Sequence, residues 1–135
     1  MTIVDDIIQH IEKDRITFHS PITVSKENVS DLLCCAFEGG SNYWYMDLEV
    51  HRAKGDKRPS DYTMVPLTDN GYMSFIADDN PSTALRLDIA AIRKGLELLH
   101  ENYPRHWEDF VNGDFDATTG DVFLQLCVFT DIVYG

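Results

Sequence analysis

Two hydrophobic periods follow one another between Val24 and Val50. Val29, Leu32, Leu33, Ala36 and Phe37 recur at helical spacing. From Trp44 the period falls to two. Trp44, Met46, Leu48 and Val50 then share one side of a strand, and Tyr43, Tyr45, Asp47 and Glu49 the other. The change falls at Gly39-Gly40, a pair able to take the left-handed conformation that ends helices. Ser25 stands where an N-cap is wanted, and Val24 and Val29 are spaced as a hydrophobic staple around it. The stretch predicts a capped helix, a diglycine stop and a strand that opens on three aromatic residues.

The flanks carry simpler patterns. Thr2 to Lys13 predicts a helix with the stripe Val4, Ile7, Ile8 and Ile11. Asp14 to Ser20 predicts a short extended segment, with Ile16 and Phe18 on one side, broken by Pro21. His51 to Ser60 holds Gly55, Pro59 and five charges and predicts a loop. Asp61 to Leu67 is ambiguous between an edge strand and a bend, because Pro66 removes a ladder donor. Asn70-Gly71 predicts a turn with positive φ, followed by a strand at Tyr72–Ala77. A turn at Asp78–Pro81 then leads to a partner strand, Thr83–Leu87, with Leu85 and Leu87 inward.

Asp88 caps a helix whose stripe is Ile89, Ile92, Leu96 and Leu99. Gly95 inside it costs about 1 kcal/mol against Ala and suits a close approach by another element. Pro104 opens a short helix carrying Trp107 and Phe110, closed by Asn112-Gly113. Asp116 caps the last helix, Ala117 to Val133. It is apolar nearly all round and therefore predicted to be central and buried, with Thr118, Asp121 and Gln125 as a thin polar edge. The order predicts an α+β fold: a small antiparallel sheet of three to four strands packed on helices, with a buried C-terminal helix. One domain is expected over residues 1–135, residues 1–20 forming an N-terminal helix and extended segment and 22–135 the core.

Charge changes the functional picture more than the fold. Eleven Lys and Arg stand against 23 Asp and Glu, a formal charge of −12. That balance argues against direct binding to DNA or RNA phosphates. From His106 onward there are acids (Glu108, Asp109, Asp114, Asp116, Asp121, Asp131) and no Lys or Arg. Conversely, Arg52, Lys54, Lys57 and Arg58 cluster with only Asp56 among them. No apolar run approaches the ~20 residues of a membrane span. The first residues bear acids where a secretory signal would bear bases, so a cytoplasmic location and no membrane partner are expected.

Candidate chemistry is sparse. No Gly-x-Ser-x-Gly, Walker loop, His-Glu-x-x-His or Gly-x-Gly-x-x-Gly occurs, and five histidines are scattered singly. Catalytic residues, a metal site and a cofactor are therefore not expected. Cys34, Cys35 and Cys127 lie in helical apolar stretches and are expected to be buried packing residues. Glu38 sits against the helix dipole beside the diglycine, which calls for a partner such as an arginine. Tyr43 and Tyr45, expected on the outer face, can stack on a base, and the loop beginning at Arg52 offers guanidinium forks to a phosphate. Trp44, by its parity, belongs to the core. The candidate ligand-binding set is Glu38, Asn42, Tyr43, Tyr45, Arg52, Lys54 and Arg58.

Two blocks carry a resemblance: Glu38-Gly-Gly-Ser-Asn-Tyr-Trp44 and Gln125-Leu-Cys-Val-Phe-Thr-Asp-Ile-Val-Tyr-Gly135. Through them the chain resembles a widespread set of small, largely uncharacterised phage and prophage proteins. These have a Glu-Gly-Gly-x-Asn-Tyr-Trp turn after a Leu-rich helix and a closing helix that ends Glu-or-Asp-Ile-Val-Tyr-Gly. The resemblance spans most of residues 22–135, and the chain departs from it in the Thr2–Lys13 helix and a more basic loop at 52–58. It implies a phage origin, action in the host cytoplasm and a role against host defence. The leading expectation is a non-enzymatic, homo-oligomeric protein that sequesters a small nucleotide-like immune signal. The rivals are an acidic inhibitor of a host defence nuclease, an enzyme cleaving a signal nucleotide with Glu38 or His51 as base, and a phage housekeeping protein with no host target.

Overall fold

The computed structural model describes residues 14–19, 22–55 and 61–135. The helix expected at Thr2–Lys13, and Lys57 and Arg58 of the basic loop, lie outside the described residues. The fold is α+β, as expected, with two antiparallel sheets among the described residues rather than one.

Strand β1 (Arg15–His19) pairs with β2 (Ile22–Ser25). The second strand is too short to show a period in the sequence, and its last residue also caps the next helix. In α1 (Lys26–Cys35) the Ser25 hydroxyl accepts the Asn28 N–H at 3.2 Å, and Val29, Leu32 and Leu33 are fully buried. A π-helical turn, Ala36–Gly40, follows, closed by the Ser41 N–H on the Ala36 carbonyl at 2.8 Å. Neither Gly39 nor Gly40 has positive φ, so the expected left-handed stop is replaced by this wider turn.

The main sheet runs β3 (Tyr45–His51), β4 (Tyr72–Ala77) and β5 (Asn80–Leu87) in that order, all antiparallel. The strict alternation expected along β3 fails at Asp47. Met46 pairs with Ile76 and Glu49 with Ser74, so Asp47 and Leu48 together face Phe75. Asp47 takes the left-handed conformation (φ 57) that such a bulge requires and that a short polar side chain tolerates. The bulge inverts the expected faces at the start of the strand. Met46 points outward and is 40% exposed, whereas Tyr45 packs inward. Past the bulge Glu49 and His51 face outward with Tyr72 and Ser74.

Asp61–Leu67 is neither edge strand nor simple bend. Tyr62–Leu67 forms a 3₁₀ turn joined to α1 by a buried Ser30–Thr63 hydroxyl pair at 2.6 Å. At the far end of β4, Ile76 pairs with Ala84 but Ala77 with Asn80. The three residues between, including donor-less Pro81, bow out of the ladder.

Helices α2 (Ile89–Asn102), α3 (Pro104–Asn112) and α4 (Ala117–Phe129) complete the chain. Asp88 and Asp116 cap as expected, accepting from the N–H groups of Ala91 and Thr119 at 2.9 and 3.1 Å. Gly113, at φ 75, closes α3. Helix α4 is the centre of the packing, touching α1, α2 and the π turn. Gly95 of α2 meets Cys127 of α4: a Cβ built on Gly95 would lie 2.3 Å from the Cys127 sulfur. The helix stops at Phe129 rather than Val133, because Thr130 turns left-handed (φ 60) and sends the tail back along the helix. Among the described residues no helix is long and apolar enough to cross a membrane.

Candidate functional site

Two polar side chains on apolar α4 organise one end of the molecule. The Asp121 carboxylate accepts from the Ser41 hydroxyl at 2.8 Å, the Trp44 indole N–H at 2.7 Å and the Tyr43 hydroxyl at 2.6 Å. One turn on, the Gln125 amide oxygen accepts the N–H groups of Val133 and Tyr134, both at 2.8 Å. Its NH₂ donates to the Tyr134 carbonyl at 3.2 Å. Tyr134 lies parallel on Trp44, with centroids 5.2 Å apart. Residues 38–44 and 125–135 thus meet as one latch. Trp44, 1% exposed, belongs to the core, although Met46, expected on the same side, faces outward.

The candidate ligand residues divide around this latch. Asn42 and Tyr43 lie on the surface, but the Tyr43 hydroxyl is committed to Asp121. Partial burial and that bond push its pKa up to about 12. Tyr45 does not face outward. Its ring packs edge-on against Phe37 and Phe75, and its hydroxyl donates to the Phe37 carbonyl at 2.6 Å. Arg52 and Lys54 are exposed beyond the other end of β3, roughly 20 Å from Tyr45 at strand rise. Arg58 lies outside the described residues. One small ligand therefore does not span Tyr43, Tyr45 and Arg52 together.

Glu38 has partners, but not an arginine. The Cys34 thiol and the Tyr62 hydroxyl each donate to it at 2.8 Å. These bonds, Cys34's first, hold the exposed Glu38 carboxyl below its ordinary pKa. In return the bond to Glu38, with partial burial, pushes the Cys34 thiol up to about 11. Cys34 and Cys35 are half-buried rather than buried as expected; Cys127 is buried. A raised thiol pKa leaves little thiolate, the reactive form, at neutral pH. Cys34 is therefore expected to label slowly with a disulfide reagent at pH 8, its rate climbing toward pH 11. Glu38→Gln should accelerate labelling at pH 8 by about tenfold. Equal rates in the two proteins would show that Glu38 does not hold the thiol proton.

Signals for a ligand lie elsewhere on β3. On the outer face of the main sheet, His51 stacks on Tyr72, with centroids 4.3 Å apart and planes 9° from parallel. The Arg86 guanidinium carbon lies 3.7 Å from the Tyr72 centroid. Since β4 runs between β3 and β5, the histidine and the arginine cover opposite faces of the tyrosine. Arg86 donates to Asp88 at 3.1 Å, and the His51 Nε2 lies 2.9 Å from the Ser74 hydroxyl and 3.6 Å from Glu49. Arg52 follows His51 directly. Past the bulge Glu49 lies on the side expected of it, and the register that sets His51 against Tyr72 of β4 had no signal in the sequence.

The acidic C-terminal third also divides. Asp116 caps α4 and Asp121 holds the latch, while Glu108, Asp114 and Asp131 are exposed. Among the described residues no group of three or more His, Cys, Asp or Glu is placed to hold a metal ion. No protein-family model matches the chain, and neither a curated protein nor a solved structure matches it.

Proposed function

We propose that this is a binding protein of phage type that sequesters a small nucleotide-like signal of host defence, at the outer face of the main sheet. The observation that carries the reading is the Arg86–Tyr72–His51 column on the strand that Arg52 directly follows. A rigid planar stack next to guanidinium and ammonium groups has the two elements a nucleotide requires: a surface for its base and donors for its phosphate. Cations close together in the sequence of a chain of charge −12 also give an anion a local reason to bind. The reading sets aside Tyr43, Tyr45 and Glu38, whose polar atoms bond within the protein, and keeps Arg52 and Lys54 for the positive charge they carry at the surface. A homo-oligomer is part of it, since a second subunit would close an open face over its ligand.

Isothermal titration with cyclic dinucleotides and ADP-ribose derivatives tests the proposal. Saturable binding is expected with at least one of them, weakened about tenfold or more when Arg52 and Lys54 are both changed to Ala, since charge-assisted contacts to phosphate contribute about 1.5–3 kcal/mol each. Flat titrations throughout would remove it. Native mass spectrometry of protein from its producing cells gives the subunit number and any retained mass of nucleotide size. The acidic-inhibitor reading retains Glu108, Asp109 and Asp114, but it leaves the column unexplained.

A further inference from the structure

We infer that the base of the ligand stacks on the outer face of His51, so that the imidazole is the base platform and Tyr72 and Arg86 hold it in place. The inference rests on the nucleotide reading above and gives that site its orientation. Tyr72 cannot receive the base itself, because both of its faces are covered, by Arg86 at 3.7 Å and by His51 at 4.3 Å. A further ring can join the column only at one of its ends.

The two ends differ. At the Arg86 end the guanidinium is tied to the Asp88 carboxylate, which also caps α2. A phosphate there would meet an anion that the fold cannot release. At the His51 end the strand is the last of its sheet among the described residues, so the imidazole face turned away from Tyr72 looks out past the edge. The imidazole is about one-third exposed. Its Nε2 lies against Ser74 and Glu49, which leaves the ring face, not that nitrogen, for a ligand. Arg52 and Lys54 follow His51 in the chain just past this end of the strand, so a phosphate carried by a base on His51 has two exposed cations within three residues of its platform. The favoured ligand class is a nucleotide carrying both groups. A phosphate alone uses half of the site, and a nucleoside the other half. Stacking on a flat side chain also tolerates more than one kind of base.

AMP, adenosine and ribose 5-phosphate separate these contributions, with binding followed by NMR titration of the whole protein. AMP is expected to bind at least about tenfold more tightly than ribose 5-phosphate, in line with the usual contribution of one stacked base. His51→Ala should remove that advantage and leave ribose 5-phosphate unchanged. His51→Trp, which enlarges the platform, should retain or increase it. Arg86→Lys should lower AMP binding without altering that of ribose 5-phosphate, as expected of a positioning residue. AMP and ribose 5-phosphate binding equally to the wild type, or His51→Ala weakening both alike, would overturn the base platform while leaving the phosphate site standing. Failure of all three probes, together with flat titrations for the larger nucleotides, would overturn the nucleotide reading and this inference with it.

Discussion

Asp121→Ala is expected to lower stability by about 3–5 kcal/mol, and its melting temperature by roughly 10–20 °C. The carboxylate is the shared acceptor for Ser41, Tyr43 and Trp44. Removing it strands a buried hydroxyl and a buried indole N–H. Each such orphan costs about 1–3 kcal/mol, and the loss of an ionic acceptor adds to it. Asp121→Asn should cost less, about 1–2 kcal/mol, because its amide oxygen can still take the Ser41 and Trp44 donors while the Tyr43 hydroxyl rotates to accept. Tyr43→Phe removes one exposed donor and should cost less than about 1 kcal/mol. Urea melts of the three variants give the order, and the near-ultraviolet signal of Trp44 reports the latch. A loss below about 1 kcal/mol in Asp121→Ala would mean that the latch closes without its acceptor. The Asn variant also separates fold from function. Folded and latched less tightly, it should bind a nucleotide as the wild type does, because the sheet face lies at the other end of β3.

The latch recasts the two blocks that carried the resemblance. Residues 38–44 and 125–135 are far apart in sequence and touch in the structure, so their composition in this chain has a physical reason in the closing of the fold. Trp44, Tyr43 and Tyr134 are held to α4 by one carboxylate and one amide. This explains why so many polar and aromatic residues fall in those blocks without a ligand. It does not require them to form a binding site.

Where local chemistry sets the backbone, the sequence was legible. Ser25, Asp88 and Asp116 cap as their side chains dictate, Gly113 closes α3, and of the stripe Ile89, Ile92, Leu96 and Leu99 the last three are fully buried and Ile89 partly so. Errors arose where a distant element decides. Nothing near Asp47 signals a bulge, because its cause is the pairing with β4, and one extra residue there exchanged the faces of Tyr45 and Met46. The early end of α4 depends on Gln125 offering an alternative partner to the Val133 and Tyr134 N–H groups. The pair Asp121 and Gln125, four apart on an apolar helix, was visible as a polar edge; its partners were not. The inward face of Tyr45 was illegible for the same reason: which ring of β3 looks outward is set by register.

Gly40→Ala should cost at least about 3 kcal/mol, while Gly39→Ala should be neutral or stabilise by up to about 1 kcal/mol. The sequence treats the two glycines alike, as a helix stop. The structure does not. A Cβ on Gly40 would lie 2.0 Å from the Ala117 carbonyl oxygen and 2.8 Å from its carbon, both backbone atoms of α4. No rotamer relieves that overlap, so the π turn or the start of α4 must move, and the Asp121 latch with it. On Gly39 the nearest atom is the Ala117 Cβ at 3.9 Å, an ordinary contact. Its φ is not positive, so alanine adds no backbone strain and removes freedom from the unfolded chain. Paired urea melts decide between the two accounts. Equal losses in both variants would return the diglycine to a conformational role. A loss confined to Gly40 would establish it as the point where the turn meets the central helix.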